Sequence, residues 1–433
     1  MKKNIYLDYA AATYIEPAVL KKMQPYLSEF FGNASSLHSL GQISKNAIEK
    51  ARYETAGILG ALPEEIIFTG SGTESANLAI FGIARAYKKF GNHIIISKIE
   101  HKAVLESAKA LEKEGFKITY LNVDKNGIIK LDELKKSLNK KTILVSIMYA
   151  NNEIGTIQPI SEIAKIINDF KERNFISSTR FVPPSLRDSL VPRHGDSDRG
   201  RRPSSPAAGF RQIKFLSFPP FFHSDSCQAA GALPLDIKKH SVDALTLNGS
   251  KIYGPKGVGC LYLNKNIKIE PIIVGGGQEN NLRAGTENPA LIVGFAEALK
   301  LAGKMRTKES RRLTVLRDYF IKNILKSVKG CGLNGDTKKR LPNNINLLFS
   351  GVDGEALVLR LDLHGICAST GSACASSDFA ASHVLSALGI KKELIHGSLR
   401  LTLGRKTTKK DLDYVLKTLA YEVEDLRKMS AMK

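Results

Sequence analysis

Four short stretches carry residue types that could do chemistry. In STGSACASS, Ser369 to Ser377, Cys374 stands among glycine, serine, alanine and threonine, with no bulky neighbour to bury it. A free thiol is only slightly ionised at neutral pH yet is intrinsically nucleophilic, so an accessible cysteine on a supple backbone suits attack followed by carriage of a product. In FTGSGTESAN, Phe68 to Asn77, a strand-like run turns through Gly70, Ser71 and Gly72 into a helical pattern. Backbone N–H groups at such a start, with the Ser71 and Thr73 hydroxyls, form an anion cradle. The stretch matches neither the P-loop nor the G-x-G-x-x-G turn, and an ordinary glycine turn with a capping threonine reads equally well. In NGSKIYGPKG, Asn248 to Gly257, Lys251 follows a strand and precedes a glycine- and proline-rich turn. Its amine, presented into a cleft, suits Schiff-base chemistry, although a solvated turn lysine is the simpler reading of that residue alone. In HSDSCQAAG, Asp225 sits at a strand end, where a carboxylate can pair with a protonated pyridine nitrogen or simply cap a helix.

The elements that must position these groups read as a repeating alternation. EEIIFTG, HIIISKIE, KITYLNV and TILVSIMYA are β-branched runs separated by the helical patterns TESANLAIFGIARAYKKF and AVLESAKALEKEG. Such alternation predicts βαβ units and a mainly parallel sheet, with functional groups at the C-terminal ends of the strands. VDALTLNG and GVGCLYL continue the strands, a charged helix is expected from about Lys304 to Lys329, and NNINLLF, ALVLRLDLHGI and SLRLTLGR read as a smaller α+β unit. No internal repeat is visible. An anion cradle, an amine and a carboxylate at successive strand ends are together the three handles of pyridoxal phosphate, a far more specific signal than any one of them.

One segment breaks the pattern. From about Phe175 to Pro220 the chain is rich in arginine, proline and serine, with seven arginines and one lysine against 13 and 43 elsewhere. An αβ connection normally takes about 2 to 6 residues, so this is an atypical insertion, read as a poorly ordered surface excursion rather than an RNA-binding arm. The net charge of +22 suggests acidic partners, but lysines are scattered through stretches such as KKSLNKK, which reads as a solvated basic surface rather than a direct nucleic-acid site. Asp8 and the tyrosines interrupt what a secretory signal would need, and no apolar run approaches the roughly 18 residues of a membrane span. Five cysteines form no CxxC pair and no even ladder, so reduced thiols and a cytoplasmic location are expected.

In order along the chain, YLDYAAAT, FGNASSLH, EHKAVL, NNEIGTIQP, SDSCQAAG, SKIYGPKG, GGGQENNLRAGTEN, STGSAC and SLRLTLGR resemble the cysteine desulfurases, fold-type I pyridoxal-phosphate enzymes related to the class V aminotransferases. The resemblance spans nearly the whole chain except the arginine-rich segment. It implies an α/β architecture: a large cofactor-binding domain over residues 15–305, built on a mainly parallel seven-stranded-type sheet sandwiched by helices, and a smaller α+β domain of residues 1–14 and 306–433 that carries the cysteine loop.

The resemblance also implies roles. Lys251 holds the cofactor covalently, Asp225 and Gln228 bind its pyridine nitrogen and phenolic oxygen, and His101 stacks over the ring and shuttles protons. Asn152 lies near the phenolic oxygen and the substrate. Ser71, Gly72, Thr73 and Ser250 serve the phosphate, and Thr286 reaches the phosphate of a second subunit in a homodimer. Arg400 clamps the substrate α-carboxylate through paired hydrogen bonds, with Asn33 assisting. Cys374 attacks the sulfur of L-cysteine, keeping a persulfide and releasing alanine. The long cysteine loop, in place of the tighter RxGHHC type, implies delivery to a sulfur-acceptor protein in iron–sulfur assembly or tRNA thiolation. No metal is expected. The chain departs from the pattern at Asn248-Gly249-Ser250-Lys251, where many relatives carry Ser-Gly-His-Lys, and at Asn280 and Asn281, where a more basic pair is common. Selenocysteine lyase or a related lyase of this fold, and a noncatalytic scaffold disabled by the insertion, are the competing readings.

Overall fold

The computed structural model describes residues 4–176, 218–370 and 381–431. Twelve strands are found there: β1 Ile5–Tyr6, β2 Ile66–Thr69, β3 His93–Ser97, β4 Lys117–Leu121, β5 Thr142–Ser146, β6 Phe221–Asp225, β7 Ala244–Asn248, β8 Gly259–Leu263, β9 Cys331–Leu333, β10 Asn344–Phe349, β11 Ile366–Cys367 and β12 Ser398–Thr402. Seven of them form one sheet in the order β2-β8-β7-β6-β5-β3-β4. Only β8 runs antiparallel to its neighbours, so the mainly parallel sheet expected from the sequence is present.

Every residue of β3, β5 and β6 is buried, as expected of parallel strands covered on both faces. Adjacent phenylalanines show the two-sided packing: Phe222 joins a cluster with Ile95, Val145 and Leu247, while Phe221 joins another with Ile94, Ile96 and Leu144. Because side chains alternate along a strand, this unbroken apolar run fills both layers at once. A third cluster, with Phe320, Ile345, Leu357, Leu399 and Val415, underlies the three-stranded antiparallel sheet β12-β10-β9. β1 pairs in parallel with β11.

The helix expected to begin near residue 304 instead spans Pro289–Ser327. Asn288 accepts a hydrogen bond from the Leu291 N–H and Pro289 occupies the first turn, an efficient start signal. Its first half, with Phe295 and Leu299, packs in the cluster around Phe222; its second, with Phe320 and Ile324, packs in the third cluster. One helix thus ties the large sheet to the smaller one. β6 forms beside β5 and β7 directly after the arginine-rich segment, so the strand that carries Asp225 is in place. Residues 177–217, and with them the expectation of poor order in that segment, lie outside the described residues.

Candidate active site

Since β2, β3, β5, β6 and β7 run parallel, the residues after their C-terminal ends gather along one edge of the sheet. After β2, Ser71 caps the helix Gly72–Ala86, its side chain accepting from the Glu74 N–H. A Cβ at Gly72 would lie 2.8 Å from Cys227 Sγ and 3.2 Å from Asn248 Cβ, so only glycine lets this helix start close on the ends of β6 and β7. After β3, His101 caps the helix Lys102–Lys113 through Nδ1, which accepts from the Ala103 N–H at 3.1 Å. A hollow between these two helix starts is lined by Thr73, Asn77, His101 and Lys102.

Asp225 closes β6 with its Oδ1 accepting from the Cys227 N–H at 3.0 Å. Gln228 donates through Nε2 to the Ala10 carbonyl at 3.0 Å. Lys251, in the turn Gly249–Lys251 after β7, donates through Nζ to the Ala11 carbonyl at 2.5 Å. Ser250 directs its hydroxyl to Asn248 Oδ1 at 3.0 Å, so the two departures from the family pattern beside Lys251 bond to each other. Arg400 projects from β12, is buried, and donates to the Asn152 carbonyl at 3.1 Å and to Asp8 Oδ1 at 2.9 Å.

The electrostatics bind these residues into one cluster. Burial lowers the pKa of His101; Asp225 opposes that shift, while Lys251 and His383 reinforce it. The imidazole is therefore neutral at neutral pH, with Nδ1 occupied as a cap. Burial, followed by Asp225, pushes the Cys227 thiol well up, so this cysteine stays an un-ionised thiol. Burial also pushes Glu100 up to about 8, even though its Oε1 accepts from Ser97 Oγ at 2.6 Å and from the Met148 N–H at 2.9 Å.

Asp225, Gln228, Lys251, His101, Ser71, Gly72 and Thr73 are thus brought to one edge, and Arg400 meets Asn152 beside it. Asn33 is exposed, with its Oδ1 accepting from the Ser35 N–H, and Thr286 is exposed beyond Gly285. Cys374 lies outside the described residues. On either side of it, Ser369 pairs with Arg400, Ser382 Oγ donates to Glu153 Oε2 at 2.6 Å, and His383 Nε2 is 3.0 Å from the Glu100 carbonyl. Sequence reasoning assigned no role to Glu100, Glu153, His383 or the residues from Asp8 to Thr13, although YLDYAAAT was among the blocks that carry the resemblance. That segment touches Arg400, Gln228, Lys251 and Ser250 in turn. A block such as YLDYAAAT has no periodicity that could announce those contacts.

The donor set fits pyridoxal phosphate. A carboxylate for a pyridine nitrogen, a primary amine for an aldehyde, a neutral imidazole, and the start of a 15-residue helix with flanking hydroxyls for a phosphate all face one region.

A sequence profile of the aminotransferase class-V family matches residues 5–175 and 220–415, leaving out the arginine-rich segment. The cysteine desulfurase IscS of Dictyoglomus turgidum is 47% identical, with 100% of this chain and 98% of that protein covered. The cysteine desulfurase IscS of Methanosarcina thermophila is 44% identical, with 99% and 94% covered. Among solved structures, a NifS-like protein superposes with a TM-score of 0.81 at 32% identity, covering 98% of this chain and 100% of its own. A NifS-like protein from Rickettsia africae gives a TM-score of 0.78 at 29% identity, with the same coverage. The chain belongs to the class-V aminotransferase family and, within it, to the cysteine desulfurases, enzymes that depend on pyridoxal phosphate.

Proposed function

We propose that this chain is an L-cysteine desulfurase that converts L-cysteine to L-alanine and leaves the sulfur as a persulfide on Cys374. The observation that supports the reading best is the meeting of Asp225, Lys251 and a neutral His101 at one sheet edge, with the Arg400 guanidinium facing the same region from β12. Bound pyridoxal phosphate supplies an electron sink that stabilises negative charge on carbons next to the substrate nitrogen. Lys251 holds the cofactor through its amine, and Asp225 keeps the pyridine nitrogen protonated. Gln228 and Asn152 serve the phenolic oxygen, and the Ser71-Gly72-Thr73 helix start, with Ser250, serves the phosphate. Arg400, with Asn33, takes the substrate carboxylate, and His101 is available to accept and return a proton through the nitrogen not committed to the cap. In the overall reaction the substrate C–S bond breaks, an S–S bond forms to Cys374, and the β-carbon of the product gains a proton.

The active form is a homodimer in which Thr286, exposed on the single chain, reaches the phosphate held by its partner. The large domain is residues 15–305, and residues 1–14 with 306–433 form the small one, a division that the third apolar cluster follows, although Val384, Leu385 and Ile395 pack into the cluster around Phe222. The sulfur passes to an acceptor protein in iron–sulfur assembly, the role implied by the names of the relatives, or in tRNA thiolation. No helix among the described residues is long and apolar enough to cross a membrane, and the protein acts in the cytoplasm. The test is alanine formation from L-cysteine by the purified, cofactor-loaded protein and by Cys374→Ala. Alanine from the wild type alone is expected. Equal alanine from both would remove Cys374 from the mechanism, and none from either would leave a noncatalytic scaffold.

A further inference from the structure

Arg400 is only 2% exposed, and burying a guanidinium that deep is costly unless a counter-charge pairs with it. Among the described residues, Asp8 places its Oδ1 2.9 Å from Nη2, in direct contact with the guanidinium. The backbone around Asp8 is held as well: the Tyr6 hydroxyl shares its one proton between the Asp8 carbonyl at 3.0 Å and the Ala12 carbonyl at 2.9 Å. Burial and then the Asp8 charge push that hydroxyl up to about 12. Glu153 also feels Arg400; burial raises its pKa, and the hydrogen bond that Ser382 donates to its Oε2 opposes that shift.

A carboxylate clamp in this reaction faces a particular difficulty. L-Cysteine and L-alanine share the same α-carboxylate and differ only in sulfur, so a strong grip on that group binds substrate and product alike. Such uniform binding does not accelerate the chemistry and slows product release.

We propose that Asp8 is a positioning residue that acts through Arg400 and attenuates the clamp. Its carboxylate holds one edge of the Arg400 guanidinium as an internal counter-ion, weakening the grip on the α-carboxylate and letting alanine leave. This rests on the reading of Arg400 as the substrate clamp.

The test titrates the cofactor-loaded protein with L-alanine, following the absorbance of the bound cofactor, and compares wild type with Asp8→Asn, Asp8→Glu and Arg400→Gln. Asp8→Asn keeps the shape and removes the charge. Its dissociation constant for L-alanine is expected to fall roughly three- to tenfold, as for one charge removed a few ångströms away, and the KM for L-cysteine should fall with it. Asp8→Glu, which keeps the charge, should return both towards wild type. A purely structural Asp8 would instead give weaker binding in Asp8→Asn. If Arg400→Gln leaves alanine binding unchanged, the clamp reading itself fails. If Arg400→Gln weakens binding while Asp8→Asn leaves it unchanged or weaker, the Asp8 proposal fails alone. Should Asp8→Asn not fold, Asp8→Ser carries the same expectation, and failure of both to fold would assign Asp8 to stability and overturn the proposal.

Discussion

The 2.5 Å hydrogen bond from Lys251 Nζ to the Ala11 carbonyl directs the amine into the cleft rather than to solvent. Reducing the cofactor-loaded protein with borohydride should therefore add one cofactor mass to the wild type and none to Lys251→Ala, as read by intact mass spectrometry. Mass addition in the variant would assign the attachment to another lysine. His101 gives a pH dependence of definite sign. Burial places its pKa below the ordinary 6.5, so it is an effective base throughout the neutral range and loses that capacity only as acid protonates it. The acid limb of kcat/KM is expected below 6.5 and should be absent from the residual activity of His101→Gln. A limb centred above 6.5 that depends on His101 would contradict the burial argument.

Among the elements, the turn Gln278–Asn281 depends on one buried ion pair. Arg52 reaches Glu279 through two parallel hydrogen bonds of 2.8 Å, and Glu279 Oε2 also accepts from the Phe68 N–H in β2 at 2.9 Å. The pair holds Glu279, Asn280 and Asn281 at φ of 47°, 57° and 64°, a left-handed run that non-glycine residues rarely adopt together. Glu279→Gln leaves the buried guanidinium with only the exposed Glu49 as counter-charge and should cost about 3 kcal/mol in urea unfolding. An unchanged midpoint would show that the turn holds without the pair. Much of this level was legible in the sequence: the runs IIFT, HIIIS, TILVS, FFHSD and ALTLN all became strands because β-branched and aromatic residues suit a sheet buried on both faces. The antiparallel direction of β8 was not, since alternation of elements does not encode strand direction. Nor was the full length of the helix Pro289–Ser327, whose stretch before Lys304 is mostly apolar, with only Glu297 and Lys300 charged. The two-residue β1 is too short to carry any periodicity, and with it the part played by Asp8 stayed hidden.

At the scale of the whole molecule, two fully buried groups set opposing pH dependences. His223 is held between Ser146 Oγ at 2.8 Å and Thr246 Oγ1 at 2.9 Å, and burial lowers its pKa to about 4. Its contribution is complete above 6.5 and is lost as pH falls towards 4, because the unfolded chain binds the proton first. Glu100, raised from 4.5 to about 8, acts oppositely: the folded protein keeps the proton, and stability declines as pH rises from 4.5 through 8. The two trends offset each other between 4.5 and 6.5, so the Glu100 decline stands alone above that. Between pH 6.5 and 8 the cofactor-free wild type should lose about 2 kcal/mol relative to Glu100→Gln. Denaturation midpoints at the two pH values measure the difference, and parallel changes in both proteins would show that Glu100 ionises normally. The arginine-rich segment gives a further expectation, because β6 pairs with β5 and β7 through strands outside it. A chain with residues 177–217 replaced by a short glycine-serine linker should still bind pyridoxal phosphate; loss of binding together with unfolding would make the segment part of the fold.

The contact between Asp8 and Arg400 joins positions 392 residues apart. At translation rates of about 5 to 20 residues per second, Asp8 leaves the ribosome roughly 20 to 80 s before Arg400. β1 waits in the same way for β11, since Ile5 pairs with Ile366. During synthesis the nascent chain can complete the large sheet while the N-terminal strand still lacks its partner. The Asp8–Arg400 pair, and with it the proposed carboxylate clamp, is therefore assembled late, and a polypeptide that ends before Arg400, however well its larger half has folded, has no counterpart for Asp8.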